Sequence, residues 1–200
     1  MRFAPAERWV HRTTAVLFSV CVATAAILYN ASLANLVGNR DVVADVHLWC
    51  GFALPVPMLG GLLSRAYRND LRRLDRFSGA DWQWLRSKSR RSGAIPVGKF
   101  NAGQKLNAAL SAGAIIALLL TGVTMWLTGI APLAWRTGAT FVHDWGALCL
   151  GLLIAGHIVE ALRDPEARRG MRTGVVSIGW ARRHHAAWVD EVSQRDPSQP

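Results

Sequence analysis

Four long stretches of this chain contain almost no charge, and this feature constrains the fold more than any other. No Asp, Glu, Lys or Arg occurs in residues 13–39, 46–64 or 106–135, and a fourth stretch, 137–159, carries only Asp144. A helix rises about 1.5 Å per residue and needs roughly 20 residues to cross the hydrocarbon of a bilayer, so each stretch can span it. Buried helices of a soluble bundle usually run shorter and carry polar residues on one face. The pattern predicts an all-α, integral membrane four-helix bundle.

The net charge of +10 is distributed unequally between the connections. Of the 23 Lys and Arg residues, three precede the first stretch, eleven lie in the middle connection and seven follow the fourth stretch. Each of the two remaining connections carries one. Since cytoplasmic loops are enriched in Lys and Arg, both termini and the middle connection are predicted to be cytoplasmic. Attraction to anionic lipid is a secondary explanation of this charge, and binding of nucleic acid is a remote one, so no nucleic-acid partner is expected.

A single membrane domain is predicted over residues 1–192, followed by a disordered tail, 193–200. Pro55 and Pro57 should bend the second helix, because each lacks a backbone donor. Leu and aromatic side chains among the arginines of the middle connection predict a helix in the membrane interface. The first stretch is longer than a usual signal-peptide core, which favours a retained helix. The expected segments are helices at about 12–36, 44–64, 101–128 and 138–162, a basic inner loop at 65–100 and a basic tail at 163–192.

Four of the six histidines lie in or at the ends of the predicted membrane helices, where ionisable residues are costly and indicate function. His47 and His143 lie near the outer ends of two helices, and His11 and His157 near inner ends. His143 and His157 are separated by nearly four full turns, so they face the same side of one helix about 21 Å apart. Two neutral imidazoles can ligate one haem iron, so the spacing predicts two haems, held by His47 with His143 and by His11 with His157.

Histidines without a ligand, or a metal site, are the competing explanations of this pattern. Zinc is disfavoured because no Asp, Glu or Cys accompanies both members of either pair at ligand spacing. Small residues at the depths of the two pairs would let a flat ring approach, although ordinary helix packing also favours them; they are Ala25, Gly51, Gly61, Gly146 and Gly156. Haem propionates need cationic partners, and the candidates are Arg8, Arg12, Lys99 and Lys105 on the inner side and Arg40 and Arg136 on the outer side.

Two motifs resemble a known family. The segment 98–105, GKFNAGQK, just before an apolar helix, and the segment 170–188, GMRTGVVSIGWARRHHAAW, resemble the cytochrome b (gamma) subunits of membrane-bound formate dehydrogenases, which are prokaryotic di-haem b-type cytochromes. The resemblance implies two haems b in the pairs given above. It also implies a quinone site beside the inner haem, with His157 close by and with the quinone-binding residues Asn101, Gly103, Gln104 and Lys105.

The same resemblance implies a function. Electrons would arrive from an iron–sulfur subunit on the outer face, cross through the haems and reduce a quinone, either menaquinone or ubiquinone, near the cytoplasmic side of a prokaryotic inner membrane. A molybdenum or tungsten subunit would oxidise formate, and a higher-order oligomer of the complex is compatible with the resemblance. Glu160, one turn beyond His157, is a candidate proton donor. No nucleophile–base pair, phosphate-cradling loop or nucleotide site occurs in the sequence, so no catalytic residue is predicted.

Several alternatives stay open at this point. The chain is short for the family, and its fourth helix lacks an extra histidine that some members carry. The same di-haem, quinone-reducing role could therefore serve a hydrogenase or thiosulfate reductase type of enzyme. A haem-free membrane anchor, a small proton-coupled transporter and a stand-alone transmembrane reductase with ascorbate-like donors are the other candidates.

Overall fold

The computed structural model describes residues 1–90 and 92–195, which form helices joined by turns, with no strand among them. Eleven helices lie in this part of the chain. The first four are α1 Pro5–Tyr29, α2 Ala31–Val37, α3 Arg40–Ala53 and α4 Val56–Gly61. The middle connection contains α5 Arg65–Asp75 and α6 Gly79–Arg86, and two long helices follow, α7 Ala102–Trp126 and α8 Leu133–Arg163. The tail contains α9 Pro165–Thr173, α10 Ile178–His184 and α11 Ala186–Arg195.

Four segments are long and apolar enough to cross a membrane: α1 with 25 residues, α3 and α4 together with 22, α7 with 25 and α8 with 31. At about 1.5 Å per residue each exceeds the roughly 30 Å thickness of a hydrocarbon core. The predicted all-α fold with four membrane helices is therefore confirmed. The cytoplasmic position of both termini stays a prediction from the charge distribution.

The first membrane helix differs from the predicted range, 12–36, at both ends. It begins at Pro5, where the Glu7 carboxylate accepts a 2.7 Å hydrogen bond from the backbone N–H of Ala4 and so covers a donor at the helix start. It ends at Tyr29 because Asn30 adopts an extended conformation (φ −109°, ψ 109°) and its side chain caps the separate helix α2. An asparagine side chain competes in this way with the backbone hydrogen bonds of a helix. The charge pattern alone does not reveal this helix end.

The second membrane segment is interrupted between α3 and α4, where Leu54 and Pro55 separate the two helices. The prolines cannot donate backbone hydrogen bonds, as the sequence indicated. The fourth membrane helix, α8, begins at Leu133, before the predicted start at 138. Pro132 precedes it and its carbonyl accepts from Arg136, so the proline starts the helix earlier than the apolar stretch suggested.

Residues Trp9–Leu63 and Ser111–Ala155 form one compact unit, here called the membrane unit. Its buried core consists of Leu54, Ile115 and Leu150, and Leu17 and Leu118 are among the side chains packed against them. These residues come from α1, from the segment after α3, and from α7 and α8. All four membrane segments therefore pack against one another within this unit.

Residues Met1–Arg8, Ser64–Leu110 and Gly156–Pro200 form the second compact unit, here called the charged unit. Its apolar cluster contains Ala181, Trp188 and Val189. Gly174 joins the N-terminal segment to the tail, because its carbonyl accepts from the backbone N–H of Arg2 at 2.7 Å while its own φ is +88°.

The end of the chain was predicted to be disordered over residues 193–200. Helix α11 continues to Arg195, three residues into that range. Trp188 and Val189 in this helix pack against Ala181 of α10, a tertiary contact that composition does not reveal. Residues 196–200 lie outside the part of the chain that the structure describes.

Candidate functional site

Two of the four predicted histidines meet in the membrane unit. His47 lies in α3 and His143 in α8, and their ring centroids are 6.3 Å apart with the ring planes at 66°. Both side chains are partly buried. The predicted outer pair is therefore in contact.

A threonine orients the His47 ring. The Thr24 hydroxyl oxygen lies 2.9 Å from His47 Nδ1, and the same hydroxyl lies 2.8 Å from the carbonyl oxygen of Val20, one turn earlier in α1. A hydroxyl has one proton, and the carbonyl can only accept it, so the threonine oxygen is left to accept from the imidazole. This network assigns the proton to Nδ1 and leaves a lone pair on Nε2.

The His143 ring is oriented in the same way, by a threonine of α7. The Thr121 hydroxyl lies 3.0 Å from His143 Nδ1 and donates to the carbonyl of Ala117 at 2.7 Å. Both imidazoles are thus held as neutral Nδ1–H tautomers with Nε2 available as a ligand. Histidines that bind metals characteristically donate their second N–H to a neighbouring acceptor in this way.

The separation of the two rings fits a single metal between them. A metal binds an imidazole nitrogen at about 2.0–2.1 Å and the ring centre lies roughly 1 Å further, so two opposed rings have centroids roughly 6 Å apart. The observed separation of the ring centroids is 6.3 Å, close to this value. No group of three or more His, Cys, Asp or Glu that could hold a metal occurs among the described residues. Two nitrogen ligands suit an iron whose other four positions are filled by a macrocycle.

Glycines beside the pair provide space. A Cβ on Gly51, one turn after His47, would meet no atom within 4 Å, so a flat ring has room there. A Cβ on Gly122 of α7 would lie 3.5 Å from His143 Cε1, so this glycine lets the imidazole pack closely against the helix. The residues around His47 and His143 therefore fit a haem.

Sequence analysis missed three of these residues: Thr24, Thr121 and Gly122. Counting turns from His11 led to Ala25 at this depth, one residue after the threonine that contacts His47. A hydroxyl in an otherwise apolar helix, close to the depth of a histidine, is the signal that could have found Thr24 and Thr121. No comparable signal marks Gly122, because its role depends on which face of α7 meets α8.

The predicted inner pair consists of His11 in α1 and His157 in α8. One uninterrupted helix, α8, carries both His143 and His157, and their spacing of nearly four turns places both on one face of it. The pairing of His11 with His157 stays a prediction.

The predicted quinone residues surround the start of α7 in the charged unit. Asn101 and Gln104 cap this helix reciprocally: Asn101 Oδ1 accepts from the Gln104 N–H at 2.9 Å, and Gln104 Oε1 accepts from the Asn101 N–H at 3.0 Å. The Lys105 ammonium donates to Asp81 Oδ2 at 2.7 Å and to the carbonyl of Arg76 at 2.8 Å. Asn101 and Lys105 therefore each have a structural role in addition to any ligand contact.

The space beside Gly103 is occupied by a ring of this chain. A Cβ on Gly103 would lie 3.2 Å from the indole of Trp84, which comes from α6. The family resemblance implied that Gly103 is a quinone-binding residue; the aromatic ring that approaches it in the structure is Trp84.

A pocket of about 220 Å³ opens at the start of α7. Its lining includes Trp84, Pro96, Gly98, Asn101, Lys105 and Ala187. Two of the four predicted quinone residues, Asn101 and Lys105, therefore line a common cavity together with an indole ring. Gly103 and Gln104 are adjacent in sequence to residues that line this pocket, but they are not part of its lining.

Several cations considered for haem propionates have partners within the protein. Arg8 donates to the carbonyl of Arg172 at 2.9 Å, and Arg40 donates to the carbonyl of Leu28 at 2.8 Å. Lys99 forms buried ion pairs with acidic residues of the charged unit. Each of these contacts lies within one compact unit and holds the basic side chain in place there.

Paired imidazoles among membrane-spanning helices are the ligands by which a membrane cytochrome b holds haem, and this is the class of protein that the fold and the site indicate. The chain belongs to the family of prokaryotic cytochrome b561, whose model matches residues 2–174. Membership implies haem b as a cofactor and electron transfer in a membrane as the role. The family resemblance indicated by the sequence motifs is confirmed at this level.

Formate dehydrogenase subunits are among the proteins similar to this chain. The cytochrome b556(Fdn) subunit of the nitrate-inducible formate dehydrogenase of Escherichia coli K12 is 32% identical over 103 residues, which cover 50% of this chain and 48% of that subunit. The formate dehydrogenase cytochrome b556 subunit of Haemophilus influenzae is 32% identical over 97 residues, covering 47% and 41%. The chain thus spans about half the length of the curated relatives it matches.

Proposed function

We propose that this chain is the membrane electron-transfer subunit of a respiratory formate dehydrogenase complex. It would carry electrons from an iron–sulfur subunit on the outer face, through two haems b, to a quinone bound near the cytoplasmic side. The observation that carries the proposal is the contact between His47 and His143, with each Nδ1 held by a threonine. The names of the similar proteins and the two sequence motifs favour formate as the primary donor, oxidised by a molybdenum or tungsten subunit.

The protein's contribution to electron transfer is ligation, orientation and exclusion of water. Bound haem b supplies an iron that accepts and releases one electron at a time. His47 and His143 would hold one haem, and His11 and His157 the other. Thr24 and Thr121 keep the outer imidazoles in the tautomer that presents Nε2, while the apolar core of the membrane unit keeps water from the pair.

The pocket at the start of α7 is the proposed quinone site. Helix N-termini carry partial positive charge from unpaired N–H groups, which stabilises a quinone carbonyl as it gains negative charge. Lys105 lies beside Asn101 as a hydrogen-bond donor paired with Asp81, and the Trp84 indole offers a flat surface against which a quinone ring can stack. The charge distribution of the chain favours a position of this pocket on the cytoplasmic side of the inner membrane.

Haem content tests the role of the histidines. The complex purified from its native membranes should contain two haems b per chain by pyridine haemochrome analysis. His47→Ala and His143→Ala should each lose one of them, while His184→Ala, in the tail, should keep both. Absence of haem from the wild-type protein would overturn the proposal and favour a haem-free anchor.

The identity of the donor needs a separate test. Mass spectrometry of the purified complex should find an iron–sulfur subunit and a molybdenum or tungsten subunit. Formate added to membranes should reduce the haem, and a soluble quinone should reoxidise it. Reduction by hydrogen but not by formate would contradict the choice of formate and support the hydrogenase-type alternative.

A further inference from the structure

Three ionisable side chains form a buried cluster in the charged unit. The Lys99 ammonium lies 2.5 Å from Asp70 Oδ2 and 3.5 Å from Glu7 Oε1, and none of the three side chains is more than 10% exposed. Glu7 belongs to the first turn of α1, Asp70 to α5, and Lys99 to the segment that precedes α7. Buried charges of this kind are costly unless they are paired, so the protonation of the cluster matters.

One ammonium group serves two carboxyl groups in this cluster. Both carboxyls lie against the same Lys99 ammonium, at 2.5 Å for Asp70 and 3.5 Å for Glu7, and both are buried. Two buried carboxylates beside one ammonium are costly, which favours a proton on one of them.

Arg2 and His185 are ionisable groups that lie beside the cluster. Arg2 Nη2 lies 2.8 Å from the carbonyl oxygen of Lys99 and 3.0 Å from His185 Nε2, while its Nε and Nη1 have no hydrogen-bond partner among the described residues. Burial, and then the charge of Arg2, lower the pKa of His185 to about 3, so the imidazole is neutral near pH 7. Arg2 therefore supplies positive charge without a direct bond to either carboxyl.

The balance of these effects makes Asp70 titrate near neutral pH. Burial raises the pKa of Asp70 to about 7 against the lowering effect of the Lys99 hydrogen bond and charge, and the Glu7 carboxyl adds to the rise. A group that takes up and releases a proton near the working pH is suited to general acid catalysis.

The cluster and the pocket wall share one segment of the chain, residues 98–101. Lys99 lies between Gly98 and Asn101, both of which line the pocket. The imidazole of His185 bonds to the carbonyl of Gly98 at 2.7 Å and so holds this segment in place. By contrast, Glu160, the proton donor suggested by the sequence, forms an exposed pair with Arg163 at 3.0 Å.

We propose that the Glu7–Asp70 pair is the proton-donating group of this chain, which holds one exchangeable proton and passes it towards a quinone in the pocket at the start of α7. The inference rests on the proposed function, because it requires a quinone there. Reduction of a quinone to a quinol consumes two electrons, which reach it from haem b, and two protons. Each proton leaves the carboxyl pair for a quinone oxygen, and the pair is protonated again from water on the charged side.

Infrared spectroscopy tests whether the pair holds a proton, and it does not depend on turnover. The purified complex should show a protonated-carboxyl band that disappears as the pH rises through about 7. Asp70→Asn should abolish this band, Glu7→Gln should abolish it or shift its midpoint, and Asp75→Asn, at the exposed end of the same helix, should leave it unchanged. A wild-type protein without such a band would overturn the inference even if quinone reduction proceeds normally.

Stopped-flow kinetics test whether the proton reaches the quinone. Chemically reduced complex is mixed with decylubiquinone or menadione, and haem reoxidation is followed against pH. Asp70→Asn and Glu7→Gln should slow it about 100-fold relative to Asp75→Asn, the lower end of what proton transfer by a positioned side chain contributes. Rates equal to that control would overturn the inference. No reoxidation of the wild-type haem by either quinone would overturn the proposed function itself, and the proton-donor role with it.

Discussion

The hydrogen bond between Thr121 and His143 allows a sharp test of the outer haem site. Thr121→Val keeps the shape of the side chain and removes the oxygen that accepts from Nδ1 at 3.0 Å. The imidazole N–H would then lose its hydroxyl acceptor, and this contact would no longer fix the tautomer. Loss of the acceptor of a partly buried donor costs up to about 1–3 kcal/mol.

This cost can be compared with the loss of haem affinity. Removing the partner of a ligating histidine typically lowers metal affinity about 10- to 100-fold, which corresponds to about 1.4–2.7 kcal/mol. The two ranges agree, so we expect Thr121→Val to bind the outer haem about 10- to 100-fold more weakly. Transfer of haem to excess apomyoglobin in detergent, with haem content measured in parallel, reports this change.

Thr124→Val is the matched control. Thr124 lies in the same helix and its hydroxyl donates to the carbonyl of Leu120 at 2.8 Å, in the same way that Thr121 donates to Ala117. Among the described residues its hydroxyl forms no hydrogen bond to a histidine, so its replacement should leave haem transfer unchanged. If Thr121→Val and Thr124→Val lose haem at the same rate, the assignment of the Nδ1–H tautomer is wrong.

Three further predictions follow from individual contacts. Gly122→Ala should retain haem, since the new Cβ would lie 3.5 Å from His143 Cε1, whereas Gly122→Val should lose the outer haem in haemochrome analysis; equal contents would contradict the close packing. Gly174→Ala should lower the free energy of unfolding of the charged unit by about 1–3 kcal/mol, because φ is +88° and the new Cβ would lie 2.7 Å from the carbonyl oxygen of Phe3. An unchanged melting temperature would refute this. Burial alone would raise the pKa of Asp81, but hydrogen bonds from Lys105 and from the helix cap hold it below its usual value. Its stabilising effect is therefore present above the unfolded pKa of about 3.9 and lost as the pH falls through the lower folded value. The protection factors of the α6 amides, which are corrected for the intrinsic pH dependence of exchange, should fall in acid in the wild type, and Asp81→Asn should already have lower protection at neutral pH and lack this dependence.

The helical boundaries show which local signals were sufficient. Four stretches with little or no charge, each long enough to cross a bilayer, identified all four membrane segments. The cost of burying charge in hydrocarbon acts on every residue of a span. The ends of α1 and α8 were less predictable. They depend on a cap at Asn30 and on Pro132, single residues whose effect is local and is not visible in a charge pattern.

The candidate sites divide in a similar way. Helical periodicity placed His143 and His157 on one face of a helix, and depth matched His47 to His143, so the outer pair could be predicted. The threonines that set the tautomers could not be predicted, because a hydroxyl contacts a histidine on another helix only after the helices have packed. At Gly103 the sequence showed an absent side chain and could not show that Trp84 fills the space.

The sequence by itself determined the membrane class, the number of spans and the histidine ligands expected at the outer site, since these follow from hydropathy, charge and helical period along one chain. Only the tertiary structure decided which hydroxyls hold the imidazoles and that Glu7, Asp70 and Lys99 meet. Those three residues are far apart in sequence, and their ionisation depends on mutual distance and burial, quantities that exist only once the chain has folded.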